Sequence, residues 1–204
     1  ETGDSFMAGI VLTVEDVATG NTFYGYTDPQ GYFLIETDTT PCVLSYVLPS
    51  PYFGAAACSP NHVPVGLSGS NPNAGHDFYL KPVIGCPYLT VDIATPVLRR
   101  CFDAAYYLSY CNKGTVIAED AYVEVSFAPE MVVTGASIPW SAVNGNTYTF
   151  QLGDLGVLEC GQFTVSLSFA DCDSTYLGQT ICAQAHIFPD TYCGAGVNWN
   201  GAEL

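Results

Sequence analysis

Nine cysteines, three histidines and twenty acidic side chains are the residues of this 204-residue chain with the types for chemistry. The densest grouping is Cys172, Cys182, His186 and Cys193, in which Cys-x3-His has zinc-ligand spacing. The surrounding sequence is strand-like, however. Residues four apart on a strand are separated by roughly 13 Å, too far for one metal ion. The same separation stands between Cys182 and His186 as nucleophile and base. Ser68, in GLSGS (66–70), is one residue short of a nucleophile elbow and lacks the helix that motif needs. The Gly-Ala-Gly after Cys193 has no helix behind it and is not a phosphate loop. Asp171 with Asp173, and Glu119 with Asp120, stand at strand ends and offer calcium-type oxygen ligands without EF-hand spacing. Solvated turn residues are the plainer reading of both pairs. Glycosidase chemistry needs a carboxyl of raised pKa in a cleft, and no cleft is legible. The expectation is no enzyme and no resident metal, with calcium at Asp171 and Asp173 the one cofactor left open.

The cysteines make better sense as disulfides, which implies an oxidising, extracellular compartment. Twenty Asp and Glu against four Lys and Arg give a net charge of −16. Such a polyanion is repelled by nucleic acid. Lys81, Arg99, Arg100 and Lys113 form no extended basic patch. Hydrophobic residues make up 49% of the chain, enough for a packed core, yet no apolar run approaches the roughly 20 residues of a membrane helix. No Asn has the Ser or Thr two residues on that glycosylation needs, which fits a bacterial origin. The chain reads as a segment of something longer, with Glu1-Thr2-Gly3 as a scar.

Positioning these residues falls to strands. AGIVLTV (8–14), NTFYGYT (21–27), GYFLIET (31–37), CVLSYVL (42–48) and HDFYLK (76–81) are β-branched and aromatic runs separated by turn signals. Residues 49–75 read as a long loop, restrained by a Cys42–Cys58 disulfide. KPVIGCP (81–87) reads as a linker. Beyond it lie seven segments near 88–94, 101–111, 121–127, 131–138, 146–152, 161–170 and 180–188. In GQFTVSLSFA, Phe163, Val165, Leu167 and Phe169 share one face; Leu89, Val91 and Ile93 do so in YLTVDIA. Phe102, Ala104, Tyr106, Leu108 and Tyr110 form the apolar face of CFDAAYYLSYC. The expected fold is all-β, disulfide-stapled: a prealbumin-like sandwich over 1–83 and an immunoglobulin-like sandwich over 84–204.

Lettering the seven segments A to G in immunoglobulin order yields a cysteine map. Strand ends then pair as Cys86–Cys111, Cys172–Cys182 and Cys101–Cys160, and Cys193 is unpaired within this segment. Each bridge would contribute about 2–4 kcal/mol.

TGNTFYGYTDPQGYFLIET (19–37) with HDFYLKP (76–82) resembles the Cna-B or carboxypeptidase-regulatory-like repeat. LRRCFDAAYYLSYCNKGT (98–115), NTYTFQLGDL (146–155), GQTICAQAHIFPDTYC (178–193) and VNWNGAEL resemble a Cys-rich DUF11-type repeat of large Bacteroidota proteins exported by the type IX system. The resemblance implies a surface adhesin, filament or stalk without catalysis. Lys81 and Lys113 are wrongly placed for an internal isopeptide bond, so none is expected.

Trp140, Trp199, Tyr52 and Phe53 sit in apparent loops and are the candidate interface aromatics. The leading expectation is a structural segment whose partners are copies of itself or neighbouring domains of the same chain. The alternatives are a glycan- or protein-binding module and an accessory domain of a secreted hydrolase.

Overall fold

Alternating burial, rather than length of apolar run, decides where this chain forms strands. The computed structural model describes residues 6–37, 41–60, 62–66, 75–96, 98, 102–169, 180–190 and 201–204. The chain divides into two units, Glu1–Gly85 and Cys86–Leu204. Among the described residues every regular element is a strand, and no helix is long and apolar enough to cross a membrane.

In the first unit, β1 (Val11–Asp16), β2 (Thr22–Tyr26), β3 (Cys42–Tyr46) and β5 (His62–Val65) form an antiparallel sheet in the order β2-β1-β3-β5. β4 (Phe53–Ala55) pairs with β6 (Leu80–Pro82). The β1–β2 turn is built by Asp16, whose carboxylate accepts from the backbone N–H of Ala18 at 2.7 Å and Thr19 at 3.2 Å. This is the local bonding that makes Asp a turn former. Leu12, Val14, Leu44 and Tyr46 face the core with Ile10, Phe53 and Val65. The Tyr46 ring meets Phe78 edge-on at 4.9 Å, and Phe33 lies 6.3 Å from Phe78.

Three expectations are corrected here. Residues 31–37 alternate in burial but join no ladder. After the Asp28 turn, where Gly31 takes φ +78°, the segment leaves the sheet and covers its core face. Ile35 occupies the space beside Gly25, where an added Cβ would come within 2.6 Å of its Cγ1. Residues 49–75 are not one loop, because they hold β4 and β5; strands of three and four residues broken by prolines are too short for alternation to show. The thiols of Cys42 and Cys58 are both free. Cys42 points into the core and its Sγ lies 3.7 Å from the Val65 carbonyl, whereas Cys58 is exposed, so the two face different surroundings.

The second unit is a sandwich. One sheet runs β10-β13-β8-β7, from β7 (Leu89–Ala94), β8 (Ala104–Asn112), β10 (Met131–Ala136) and β13 (Cys160–Phe169). The other runs β11-β12-β9-β14-β15, from β9 (Ala118–Phe127), β11 (Ala142–Asn144), β12 (Thr147–Leu155), β14 (Ala183–Phe188) and β15 (Gly201–Glu203). Leu89, Val91, Ile93, Tyr106, Leu108, Phe163, Val165 and Leu167 of the first sheet pack against Val123, Val125, Phe127, Phe150, Ala185 and Ile187 of the second. Edge-on Tyr106–Phe127 at 5.5 Å and tilted Phe150–Phe163 at 4.8 Å join the layers. The inward faces are those expected for 88–94 and 161–170. In 101–111, Phe102 is exposed and Tyr110 only half-buried.

Strand order explains why the cysteine map fails. Immunoglobulin order would put the fifth segment beside the second and the sixth in the opposite sheet. Here the two are exchanged: β13, the sixth, pairs antiparallel with β8, and β12 pairs with β9. The start of β13 therefore lies beside the end of β8, in register Cys160↔Cys111. These two cysteines form the disulfide, with Cα atoms 4.0 Å apart. The adjoining bond from Asn112 N–H to the Glu159 carbonyl, 2.9 Å, marks 111/160 as a non-hydrogen-bonded pair, where side chains approach most closely. The pairings Cys86–Cys111 and Cys101–Cys160 are thereby overturned. Cys86 is disulfide-bonded, while Cys182 is free and exposed, which removes Cys172–Cys182. Cys101, Cys172 and Cys193 lie outside the described residues.

Candidate functional site: a pinned strand end and two open faces

Among the described residues of the second unit, the segment Asn112-Lys113-Gly114-Thr115, directly after the bridged Cys111, is held by a dense set of hydrogen bonds. Asn112 is fully buried, and a buried amide must bond all its polar atoms to avoid a desolvation cost. Its Nδ2 donates to the carbonyls of Val116 at 2.8 Å and Leu155 at 3.0 Å. Its Oδ1 accepts from the N–H of Tyr88 at 3.1 Å and Gly114 at 3.0 Å. Lys113 N–H donates to the Tyr88 carbonyl at 2.7 Å, and Thr115 N–H to the Cys86 carbonyl at 2.8 Å. Cys86 N–H returns a bond to Thr115 Oγ1 at 3.0 Å. The approach is so close that a Cβ on Gly114 would collide with the Cys86 carbonyl and the Tyr88 nitrogen. The result is a clamp on residues 86–88, where the chain comes into the sandwich, made from the end of β8. Sequence reasoning missed Asn112. The available signal was an Asn-Lys-Gly turn directly following a strand cysteine.

The second feature is the outer face of β9 and β14. The Phe188 ring stacks with Tyr122 at 4.7 Å and with His186 at 4.2 Å. The His186 Nε2 lies 2.7 Å from Asp190 Oδ1. Glu124, Ser126, Gln184, Ala185 and His186 line a shallow open groove beside this stack, and Gln184 Nε2 donates to Glu203 Oε1 at 2.6 Å. Register accounts for the grouping, since Tyr122↔Phe188, Glu124↔His186 and Ser126↔Gln184 are cross-strand partners. Such a face offers hydrogen-bond donors, acceptors and ring edges.

Elsewhere the candidates separate. Trp140 is 41% exposed and meets Tyr148 edge-on at 5.6 Å; it leans on the β11–β12 hairpin. Phe53, expected as an interface aromatic, is 2% exposed; it lies in β4 and fills the core of its unit. Tyr52 is half-buried beside it. Glu119 and Asp120 lie inside β9 and not in a turn; Asp120 takes φ +51° where the register with β12 shifts, and its N–H bonds Asp154 Oδ1 at 2.9 Å. Trp199, Asp171, Asp173 and Ser68 lie outside the described residues. Among the described residues no three His, Cys, Asp or Glu converge as metal ligands. Ser45 Oγ and His62 Nδ1 are 2.8 Å apart on the open face of β3 and β5. That is a hydroxyl–imidazole contact, and no carboxylate bonds His62 among the described residues.

No family model and no curated protein matches the chain. It is similar in structure to a GH20 exo-β-N-acetylglucosaminidase from Vibrio harveyi, at 10% identity and TM-score 0.33, over 51% of this chain and 16% of the enzyme. It is similar to the collagen-binding domain of a Staphylococcus aureus adhesin, at 8% identity and TM-score 0.35, over 58% of this chain and 94% of that domain. It is also similar to the collagen adhesin of S. aureus, at 8% identity and TM-score 0.33, over 98% of this chain and 81% of that one. At these values the likenesses assign the chain neither ligand nor activity.

Proposed function

We propose that this chain is a structural segment of an extracellular adhesin, stalk or filament on a bacterial surface, of the Bacteroidota type IX kind its sequence resembles, and that it holds rather than catalyses. The clamp at the start of the second unit carries this reading. Residues 86–88 are tied by the 112–115 backbone, Cys86 is disulfide-bonded and Cys111 is bridged to Cys160. Tension arriving along the chain at Cys86 passes into β8 and β13 instead of peeling β7 away. The disulfides fit an oxidising compartment, and the charge of −16 fits partners other than nucleic acid. The partners in this reading are copies of the chain or neighbouring domains, with no insertion into membrane.

The test is single-molecule stretching of the full chain from its two ends. The second unit is expected to resist extension more strongly when oxidised than when reduced, and more strongly than Asn112→Ala in either state. Equal unfolding forces in all four cases refute a load-bearing role. A second reading, a glycan-binding module, is favoured by the Tyr122–Phe188–His186 stack beside its polar groove, since sugars are held by aromatic faces with flanking hydrogen-bond groups. A glycan array run with and without calcium tests it. Binding lost in Phe188→Ala supports that reading, and no binding in either condition excludes it.

A further inference from the structure

Cross-strand register sets side chains in rows at right angles to the strands, and one polar row crosses the five-stranded sheet of the second unit without a break. Asn144 of β11 is opposite Thr147 of β12, and Thr147 is opposite Ser126 of β9. Ser126 is opposite Gln184 of β14, and Gln184 is opposite Glu203 of β15. The row lies on the outer face, because the chain neighbours Val125, Phe127, Ala183 and Ala185 are buried in the core. Its members touch: Ser126 Oγ and Thr147 Oγ1 are 2.7 Å apart, and Gln184 Nε2 donates to Glu203 Oε1 at 2.6 Å. Thr149, Glu124 and His186 form the next row, and Gln151, Tyr122 and Phe188 the one after. The shallow groove is lined from the first two rows.

None of these side chains is a lysine or arginine. They are short hydroxyls, amides and carboxylates beside two aromatic rings, and groups already held by a neighbour lose little freedom when a ligand arrives. Adjacent strands are about 4.8 Å apart, so the first row offers a hydrogen-bonding group at each such step over about 19 Å. A pyranose ring in a straight β-1,4-linked glycan advances by nearly the same distance, with hydroxyls along both edges. The Tyr122 and Phe188 rings lie two rows away, beside the groove, where the apolar face of a sugar can pack. Charge narrows the ligand further. Glu124, Glu203 and the Asp190 carboxylate on His186, within a chain of net charge −16, repel uronate and sulfated glycans.

We propose that this face binds an internal stretch of a neutral, unbranched β-1,4-linked glycan, laid across the strands from Asn144 to Glu203 with about four sugar units engaged. α-1,4-linked chains coil and do not keep the repeat in a straight line, and a disaccharide fills only part of the row. The proposal rests on the glycan-binding reading and adds to it the linkage, direction and length of the ligand.

The experiment is calorimetric titration of the full chain with β-1,4-linked oligomers of two, four and six units. One series is built of glucose and the other of N-acetylglucosamine, so the two arms separate the sources of such a ribbon. For the series that binds, affinity is expected to rise by about tenfold or more from two to four units and to level off by six. An α-1,4-linked glucose hexamer and an oligogalacturonate are expected not to bind. Thr147→Val keeps the shape of the side chain and removes its hydroxyl; Gln184→Ala alters an exposed position. Each is expected to weaken four-unit binding by about fivefold or more, with an unchanged urea midpoint. Ser109→Val, on the other sheet, is expected to bind as wild type does. Equal affinity for two and four units overturns the proposal while leaving a glycan-binding module standing. Binding of the coiled hexamer or the uronate as tight as that of the ribbons does the same. No binding to either ribbon series overturns it too, and the glycan array then decides separately whether the module reading falls with it. Self-association of the free chain that Gln184→Ala abolishes assigns the face to a second copy and overturns the proposal as well.

Discussion

Replacing Asn112 with aspartate changes one atom of a buried side chain that makes four hydrogen bonds, and its cost can be worked from those bonds. The Oδ1 acceptor survives, so the N–H groups of Tyr88 and Gly114 keep their partner. The Nδ2 donor becomes a second oxygen facing the carbonyls of Val116 and Leu155. Two buried carbonyls lose their donor at about 1–3 kcal/mol each, and an ionised carboxylate adds a buried, unpaired charge. The expected loss for Asn112→Asp at pH 7 is about 3–5 kcal/mol. Protonation restores one donor. Burial and the facing carbonyls raise the folded carboxyl above its ordinary value of about 3.9. As pH rises, the unfolded chain ionises first. The penalty is therefore smallest below about pH 4, grows by at most about 1.4 kcal/mol per unit and levels off above the folded pKa. Asn112→Ala leaves all four groups without partners, at about 4 kcal/mol or more, and its cost has no such pH dependence. Urea unfolding of wild type and both variants from pH 3.5 to 8, compared at equal pH, measures this. An Asn112→Asp protein within about 1 kcal/mol of wild type at pH 7 refutes the reasoning. An Asp-minus-Ala difference flat with pH refutes it equally.

Removing the Cys111–Cys160 bridge as the double alanine variant frees a loop of sequence separation 49, an expected loss of about 4 kcal/mol in urea unfolding; a loss below about 1 kcal/mol would show the bridge to be incidental. Burial raises the phenol pKa of Tyr46, Tyr106 and Tyr110, with negative charge at Cys182 adding to the rise at Tyr106 and at Glu159 to that at Tyr110. Their contribution is intact below about pH 10, where the unfolded phenols are neutral, and is lost as pH climbs through the folded values. Absorbance at 295 nm should thus show a late-ionising class of tyrosines that titrates together with alkaline unfolding, and a single class in the native state would count against it. Alkylation of the native protein is expected to mark Cys58 and Cys182 but not Cys42, whose thiol is held protonated by burial and by the nearby Asp16 carboxylate. Peptide mapping that finds Cys42 labelled as fast as Cys58 would contradict its placement.

Strands with one buried face were legible because alternation is a local property. Leu89, Val91 and Ile93, or Phe163, Val165 and Leu167, reach the core as their spacing predicts. Partner choice is not local. Nothing in residues 147–169 marks which of β12 and β13 should lie beside β8, and the exchange reverses the end at which Cys160 is found. The extended stretch 31–37 misled for a related reason: Phe33 and Ile35 alternate because they cover a core, which a second layer does as well as a ladder. Asn112 escaped notice because its partners, Tyr88, Val116 and Leu155, meet only once four strands are in place.

That last dependence makes Asn112 a gauge of alignment. If β8 slid by one residue against its neighbours, either Cys111 or Lys113 would arrive at the spot reserved for a fully bonded amide. A thiol there would abandon most of the waiting backbone groups, and an ammonium would be sealed away from water without a counter-charge. The misthreaded sandwich is thus penalised at a single atom group near its end, and the correct one is closed by the sulfur bond next door.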